Sequence, residues 1–80
     1  MNQIFNKKII LITGGTGSFG TAMTERLLNT KVSEIRIFSR DEKKQDDMRK
    51  KFSNKRMKFY LGDIRDEKSV DNVVKNVDYI

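Results

Sequence analysis

The chain has 80 residues, 17 of them basic and 11 acidic, for a formal net charge of +6, and it contains neither cysteine nor histidine. Such a length supports one small domain with a marginal core, and the composition excludes disulfides, thiolate metal sites and the commonest general base. The longest apolar stretch, Ile9 to Ile12, is far too short to cross a bilayer.

Met1 to Lys8 has no long apolar run and no small-residue cleavage site, so no signal peptide is expected and the sequence reads as that of a soluble, cytoplasmic protein. Residues Lys8 to Thr13, Lys-Ile-Ile-Leu-Ile-Thr, predict a first strand, because a short β-branched run without alternation suits a strand buried on both faces. The next segment, Gly14-Gly15-Thr16-Gly17-Ser18-Phe19-Gly20, holds four of the five glycines and cannot continue a strand. From Ser18 to about Asn29 the period changes. Phe19, Met23 and Leu27 recur every fourth residue, with Ala22 and Leu28 widening the apolar face, which predicts a helix with Ser18 as its N-cap.

Glu34 to Phe38 predicts a second strand, followed by Ser39-Arg40. Asp41 can cap the charged helix after it, in which Met48 and Phe52 lie one turn apart and can dock it. Met57 to Leu61 predicts a third strand, closed by Gly62-Asp63, and Glu67 to Lys75 a third helix burying Val70, Val73 and Val74. Val77 to Ile80 reads as the opening of a fourth strand. The order β-α-β-α-β-α-β implies an α/β fold, the N-terminal part of a Rossmann-type doubly wound parallel sheet with helices on its faces. Such a domain normally has about six strands, so residues 1–80 are expected to be the N-terminal portion of a longer, truncated NAD(P)-binding domain, without a substrate domain.

Nine of the 17 basic residues fall between Arg40 and Lys58, where acidic residues are interleaved at helical spacing. This pattern describes a solvated helix face rather than a nucleic-acid surface, so no nucleic-acid or membrane partner is expected.

The glycine segment carries the main functional expectation. A phosphate sits well where the free N–H groups and positive dipole end of a helix converge. Gly14 would allow the turn out of the strand, Gly17 would let the backbone approach a pyrophosphate, and Gly20 would let the helix pack closely on the sheet. At the end of the second strand an acid favours the ribose of NAD, and an arginine favours the 2′-phosphate of NADP. Ser39-Arg40, with Lys43 in the following helix, favours NADP; Asp41, turned inward, would hold a ribose hydroxyl and favour NAD. Asp63, just after the third strand, is placed to accept from an adenine amino group while Ile64 covers the ring; the alternative is a turn residue. Tyr60 has Ile64 rather than lysine four residues on and is expected in the core. No catalytic constellation and no metal-ligand spacing is visible.

Thr13 to Gly20, Ile37 to Gln45 (with Ser-Arg-Asp-Glu-Lys-Lys-Gln) and Phe59 to Asp66 (with Gly-Asp-Ile-Arg-Asp) together resemble the N-terminus of bacterial UDP-N-acetylglucosamine 4,6-dehydratases. These are extended short-chain dehydrogenase/reductase enzymes of capsule, O-antigen and flagellin-glycan biosynthesis. The resemblance implies a tightly held NADP that oxidises C4 of the sugar nucleotide, loss of water across C5 and C6, and return of the hydride to C6. By position it implies that Thr16, Gly17, Ser18 and Phe19 touch the pyrophosphate, Ser39 to Lys44 the adenosine ribose and its phosphate, and Asp63-Ile64 the adenine. It places catalytic residues and the UDP-sugar pocket beyond Ile80, and implies a UDP-sugar substrate and a homo-oligomer for the full-length protein. Members of the same branch are also named UDP-glucose 4-epimerases, which leaves two enzymatic readings beside that of a non-catalytic nucleotide-binding remnant.

Overall fold

The computed structural model describes residues 2–14 and 16–80. A short 3-10 helix, Asn2–Phe5, precedes strand β1 (Ile9–Thr13). Helix α1 (Ser18–Leu27), strand β2 (Glu34–Ser39), helix α2 (Glu42–Phe52), strand β3 (Met57–Leu61) and helix α3 (Glu67–Val73) follow in turn. The three strands form a parallel sheet in the order β1-β2-β3, with Ile12 opposite Ile37 and Ile37 opposite Phe59.

Alternation along the strands divides the core between the two faces. Ile10, Ile12, Ile35, Ile37 and Met57 point to one side, where Leu27 of α1 and Met48 of α2 cover them. Leu11 and Phe38 point to the other, beneath Val73 of α3, with Tyr60, Val70 and Val74 at the margin. Both sets are apolar, which is why β1 reads as an unbroken hydrophobic run.

Two arginines secure helix ends, where carbonyls lack intrahelical partners. Arg36 Nη1 donates to the carbonyls of Val73 (2.8 Å) and Lys75 (2.7 Å) after α3. Arg56 donates to those of Leu28 (2.7 Å) and Thr30 (2.9 Å) after α1.

Five expectations are corrected. Ser18 is the first residue of α1 rather than its cap; Gly17 holds the cap position, and no side chain accepts a bond there. Phe19, expected on the buried stripe, is 74% exposed, because it borders an open cleft beside β1, with Ile12 and Tyr79, instead of a packed element. Ala22 is exposed as well. Helix α3 stops at Val73, two residues early, and Asn76 follows in the left-handed region (φ 64°). The fourth strand is represented by a single parallel bridge, Ile10 to Tyr79, on the edge of β1 away from β2. It is held by Leu11 N–H donating to Tyr79 O (2.8 Å) and by the Ile9 N–H donating to the Asp78 carboxylate (2.8 Å).

Candidate functional site

The carboxyl ends of the three strands meet at one edge of the sheet, where ligands bind in open α/β folds. A cleft of about 450 Å³ opens there, lined by Thr13 and Gly14 after β1, Ser39 and Arg40 after β2, and Gly62, Asp63 and Ile64 after β3. Beside it, Thr16 faces Ser39, Arg40 and Lys44 across a shallower hollow. Three segments distant in sequence therefore converge on one place.

Gly14 has φ +62°, a backbone conformation that side chains rarely adopt, and its N–H donates to Phe38 O (2.8 Å), turning the chain sharply off β1. Gly17 is different. Its φ of −77° and ψ of −179° suit any residue, and an added Cβ would meet only Gly14 O, at an ordinary 3.6 Å, among the described residues. Among the described residues, neither backbone conformation nor packing requires glycine at 17. Gly20 is buried in the first turn of α1, and its carbonyl accepts from Thr24 Oγ1 (2.8 Å).

Helix N-termini differ in how they are satisfied. Asp41 accepts from Lys44 N–H (3.0 Å) at the start of α2, and Asp66 accepts from Lys68 N–H (3.2 Å) at the start of α3. Helix α1 has no such cap, and no acceptor for the N–H groups of Ser18, Phe19 and Gly20 is found among the described residues. Unpaired N–H groups at a positive dipole end attract an anion.

At the end of β2, Ser39 is buried and Arg40 is exposed, with its guanidinium 3.6 Å from Asp63 Oδ2. Lys43 does not join them: it pairs with Asp47 at 3.3 Å and lines a separate hollow with Asp46 and Arg49. Lys44 takes the place expected of it, since one step along a helix rotates a side chain by about 100°. Asp41 is committed to capping α2 rather than turned toward a ribose.

Asp63 is held as both a turn and a salt-bridge residue. Its Oδ1 accepts from Arg65 N–H (2.9 Å), and its Oδ2 accepts from Arg65 Nη2 (2.8 Å). The hydrogen bond from the Arg65 side chain, seconded by that backbone N–H, pulls the Asp63 carboxyl down to about 2. Arg65, expected as a solvated charge, is thus what fixes this carboxylate. Ile64 is 64% exposed and presents an apolar flank to the cleft.

Two residues that matter here escaped the sequence reading. Gly62 is required by packing: an added Cβ would lie 2.5 Å from Phe38 Cε1 and 3.0 Å from Ser69 Cβ. Gln45 is only 3% exposed and bonds the ends of β2 and β3 together. Its spacing from Met48 and Phe52 on one face of α2 was the available signal.

The parallel sheet, the glycine turn and the carboxyl-edge cleft define an α/β fold resembling the N-terminal Rossmann part of the short-chain dehydrogenases. The sequence profile of the family described as polysaccharide biosynthesis protein matches residues 10–80, and the chain belongs to that family. It is 53% identical over 81 residues to the UDP-glucose 4-epimerase of Rickettsia akari (strain Hartford) and 51% identical to that of Rickettsia prowazekii (strain Madrid E). Each match covers 96% of this chain and 24% of the relative, so the chain spans about a quarter of their length. Among solved structures it is similar to Pen from Bacillus thuringiensis, with a TM-score of 0.89 and 36% identity over 94% of this chain and 23% of that one. A short chain dehydrogenase from Bacillus anthracis shares the fold, with a TM-score of 0.75 at 18% identity over 86% of this chain and 29% of that one. Among the described residues no helix is long and apolar enough to cross a membrane.

Proposed function

We propose that this chain is the NADP-binding part of a nucleotide-sugar-modifying enzyme, a UDP-N-acetylglucosamine 4,6-dehydratase in its full-length form. The observation that carries the cofactor reading is the convergence of an uncapped α1 N-terminus, a glycine at 17 that the fold does not need, and the Ser39-Arg40-Lys44 hollow. Gly14, Thr16, Gly17, Ser18, Phe19 and Gly20 would hold the pyrophosphate. Ser39, Arg40 and Lys44 would hold the ribose phosphate, and Asp63 with Ile64 would flank the adenine. The bound nicotinamide would supply a reversible hydride acceptor. Engagement of Asp41 with the α2 N-terminus supports NADP over NAD, since its carboxylate is taken up by the cap; Glu42, the other acid lining the hollow, is the first residue of α2.

A second reading, UDP-glucose 4-epimerase with NAD, is favoured by the names of the relatives. Both readings take a UDP-sugar substrate, a cytoplasmic setting and a homo-oligomer, and both place the reacting groups outside residues 1–80. The deciding experiment uses the protein in its natural length. Calorimetric titration with NADP and NAD comes first, beside Arg40→Ala; tighter NADP binding that the substitution abolishes supports the first reading. Turnover is then followed with UDP-N-acetylglucosamine and with UDP-glucose. A 4-keto-6-deoxy product identifies the dehydratase, interconversion of UDP-glucose and UDP-galactose the epimerase. If neither nucleotide binds, the glycine segment is only a turn and the chain is a remnant.

A further inference from the structure

Gln45 stands on the apolar stripe of α2, with Met48 and Phe52, where a leucine would serve packing equally well. A buried amide is costly unless its groups are bonded, so its bonds are informative. Nε2 donates to Tyr60 O (2.8 Å) and to Ser39 Oγ (3.0 Å), with a longer contact to Ser39 O (3.5 Å). A carbonyl oxygen only accepts, so the contact with Tyr60 fixes which end of the amide faces the strands. The NH₂ group then has its second hydrogen for Ser39 Oγ. The Ser39 hydroxyl oxygen is therefore an acceptor toward Gln45, and its own proton must point elsewhere. No acceptor for that proton is found among the described residues, and Ser39 lines both the cleft and the hollow shared with Arg40 and Lys44.

We infer that Gln45 is a positioning residue of the nucleotide site, which sets the Ser39 hydroxyl as a hydrogen-bond donor toward an acceptor-only ligand oxygen, that of a phosphate monoester. The inference rests on the cofactor reading above and deepens it: preference for NADP comes from a neutral donor oriented from below as well as from the charges of Arg40 and Lys44. With glutamine reversed or replaced by an acceptor, the same hydroxyl would turn inward and give nothing to the ligand.

The test is a double-mutant cycle in the natural-length protein, with Ser39→Ala, Gln45→Met and the pair, titrated with NADP and with NAD. Methionine keeps the volume of glutamine and removes both donors. Each single substitution should weaken NADP binding about tenfold, the worth of one hydrogen bond to a charged acceptor, and leave NAD binding nearly unchanged. In the Ser39→Ala background, Gln45→Met should have no further effect on the NADP/NAD ratio. Equal losses for both nucleotides, or an undiminished effect of Gln45→Met without the serine hydroxyl, would overturn the assignment while leaving the cofactor reading intact. Failure of the unmodified protein to bind either nucleotide overturns both together. If Gln45→Met does not fold, as judged by thermal melting, Ser39→Ala alone decides: an unchanged NADP/NAD ratio rejects the donor role, and a reduced one supports it.

Discussion

Gly14 and Gly17 separate a residue the fold needs from a residue that a ligand would need. Gly14 sits at φ +62°, so alanine there carries left-handed strain of about 1–2 kcal/mol, and Gly14→Ala should lower thermal stability whether or not nucleotide is present. At Gly17 the backbone is ordinary and the space is open. Serine at 17 would even supply the missing cap, so Gly17→Ser should fold with stability changed by no more than about 0.5 kcal/mol while NADP binding falls by an order of magnitude or more. A melting curve beside a binding titration checks both halves; normal binding by Gly17→Ser would remove the pyrophosphate from this loop. Asp63 gives a pH prediction of definite sign. Its folded value is depressed to about 2 by Arg65, so the stabilisation from that pair is fully present above about pH 4 and is lost as pH falls toward 2. A carboxyl NMR titration should find the Asp63 midpoint near 2, and Arg65→Ala should return it toward about 4. From pH 5 upward Asp63 stays ionised, and nucleotide binding should show no titration that traces to it.

At the scale of elements, the helices are tied to the sheet by a few specific contacts rather than by propensity. Helix α2 is mostly charged, with only Gln45 and Met48 buried, so its cap carries weight. Asp41→Ala should cost about 1 kcal/mol, read as a shift in the denaturant midpoint with an unchanged slope. The junction between β3 and α3 depends on close approach. Gly62→Ala would push a methyl group into the Phe38 ring at the carboxyl edge, with Ser69 of α3 on the other side. Overpacking of this kind costs about 1–3 kcal/mol. Because Phe38 also lines the cleft and its carbonyl anchors Gly14, the loss of stability should be accompanied by weaker nucleotide binding. Gly17→Ser and Gly62→Ala thus make opposite predictions about stability, and the pair distinguishes a ligand-facing glycine from a packing glycine.

For the whole molecule, the decisive feature is how much apolar surface the 80 residues leave uncovered. Ile4, Phe19, Leu61, Ile64, Tyr79 and Ile80 are all exposed by two fifths or more. Phe19, Ile12, Met23, Tyr79 and Ile80 line one continuous apolar cleft of about 510 Å³ beside β1, on the edge that carries the single bridge to Tyr79. The outer edge of β3 has no strand partner among the described residues. Exposed apolar surface next to unpaired strand edges favours association. Residues 1–80 expressed alone should therefore aggregate or melt without a cooperative transition; a sharp, concentration-independent transition in a monomeric sample would contradict this.

The boundaries of the main elements were legible in the sequence because they depend on neighbours along the chain. The apolar run of β1, the glycines that end it, the acid at Asp41 and the switch from period 2 to period 3.6 all act within a few residues, and the structure returns them with shifts of one or two positions. What lay beyond reach depends on residues far apart in sequence. Phe19 follows the same helical stripe as Leu27, yet only the packing around β1 decides that it borders an open cleft while Leu27 is buried. Lys43 and Lys44 are indistinguishable as letters, and the rotation of α2 against β2 selects Lys44. Gly62 reads as a turn glycine until Phe38 is seen against it, and Gln45 reads as one more polar residue of a charged helix until Ser39 and Tyr60 are brought to its amide. The sequence by itself determined the α/β order and the glycine turn after β1, because local sterics and hydrophobic periodicity are written in consecutive residues. Only the tertiary structure decided which side chains meet at the carboxyl edge, because that depends on sheet register and helix rotation, which no single segment contains.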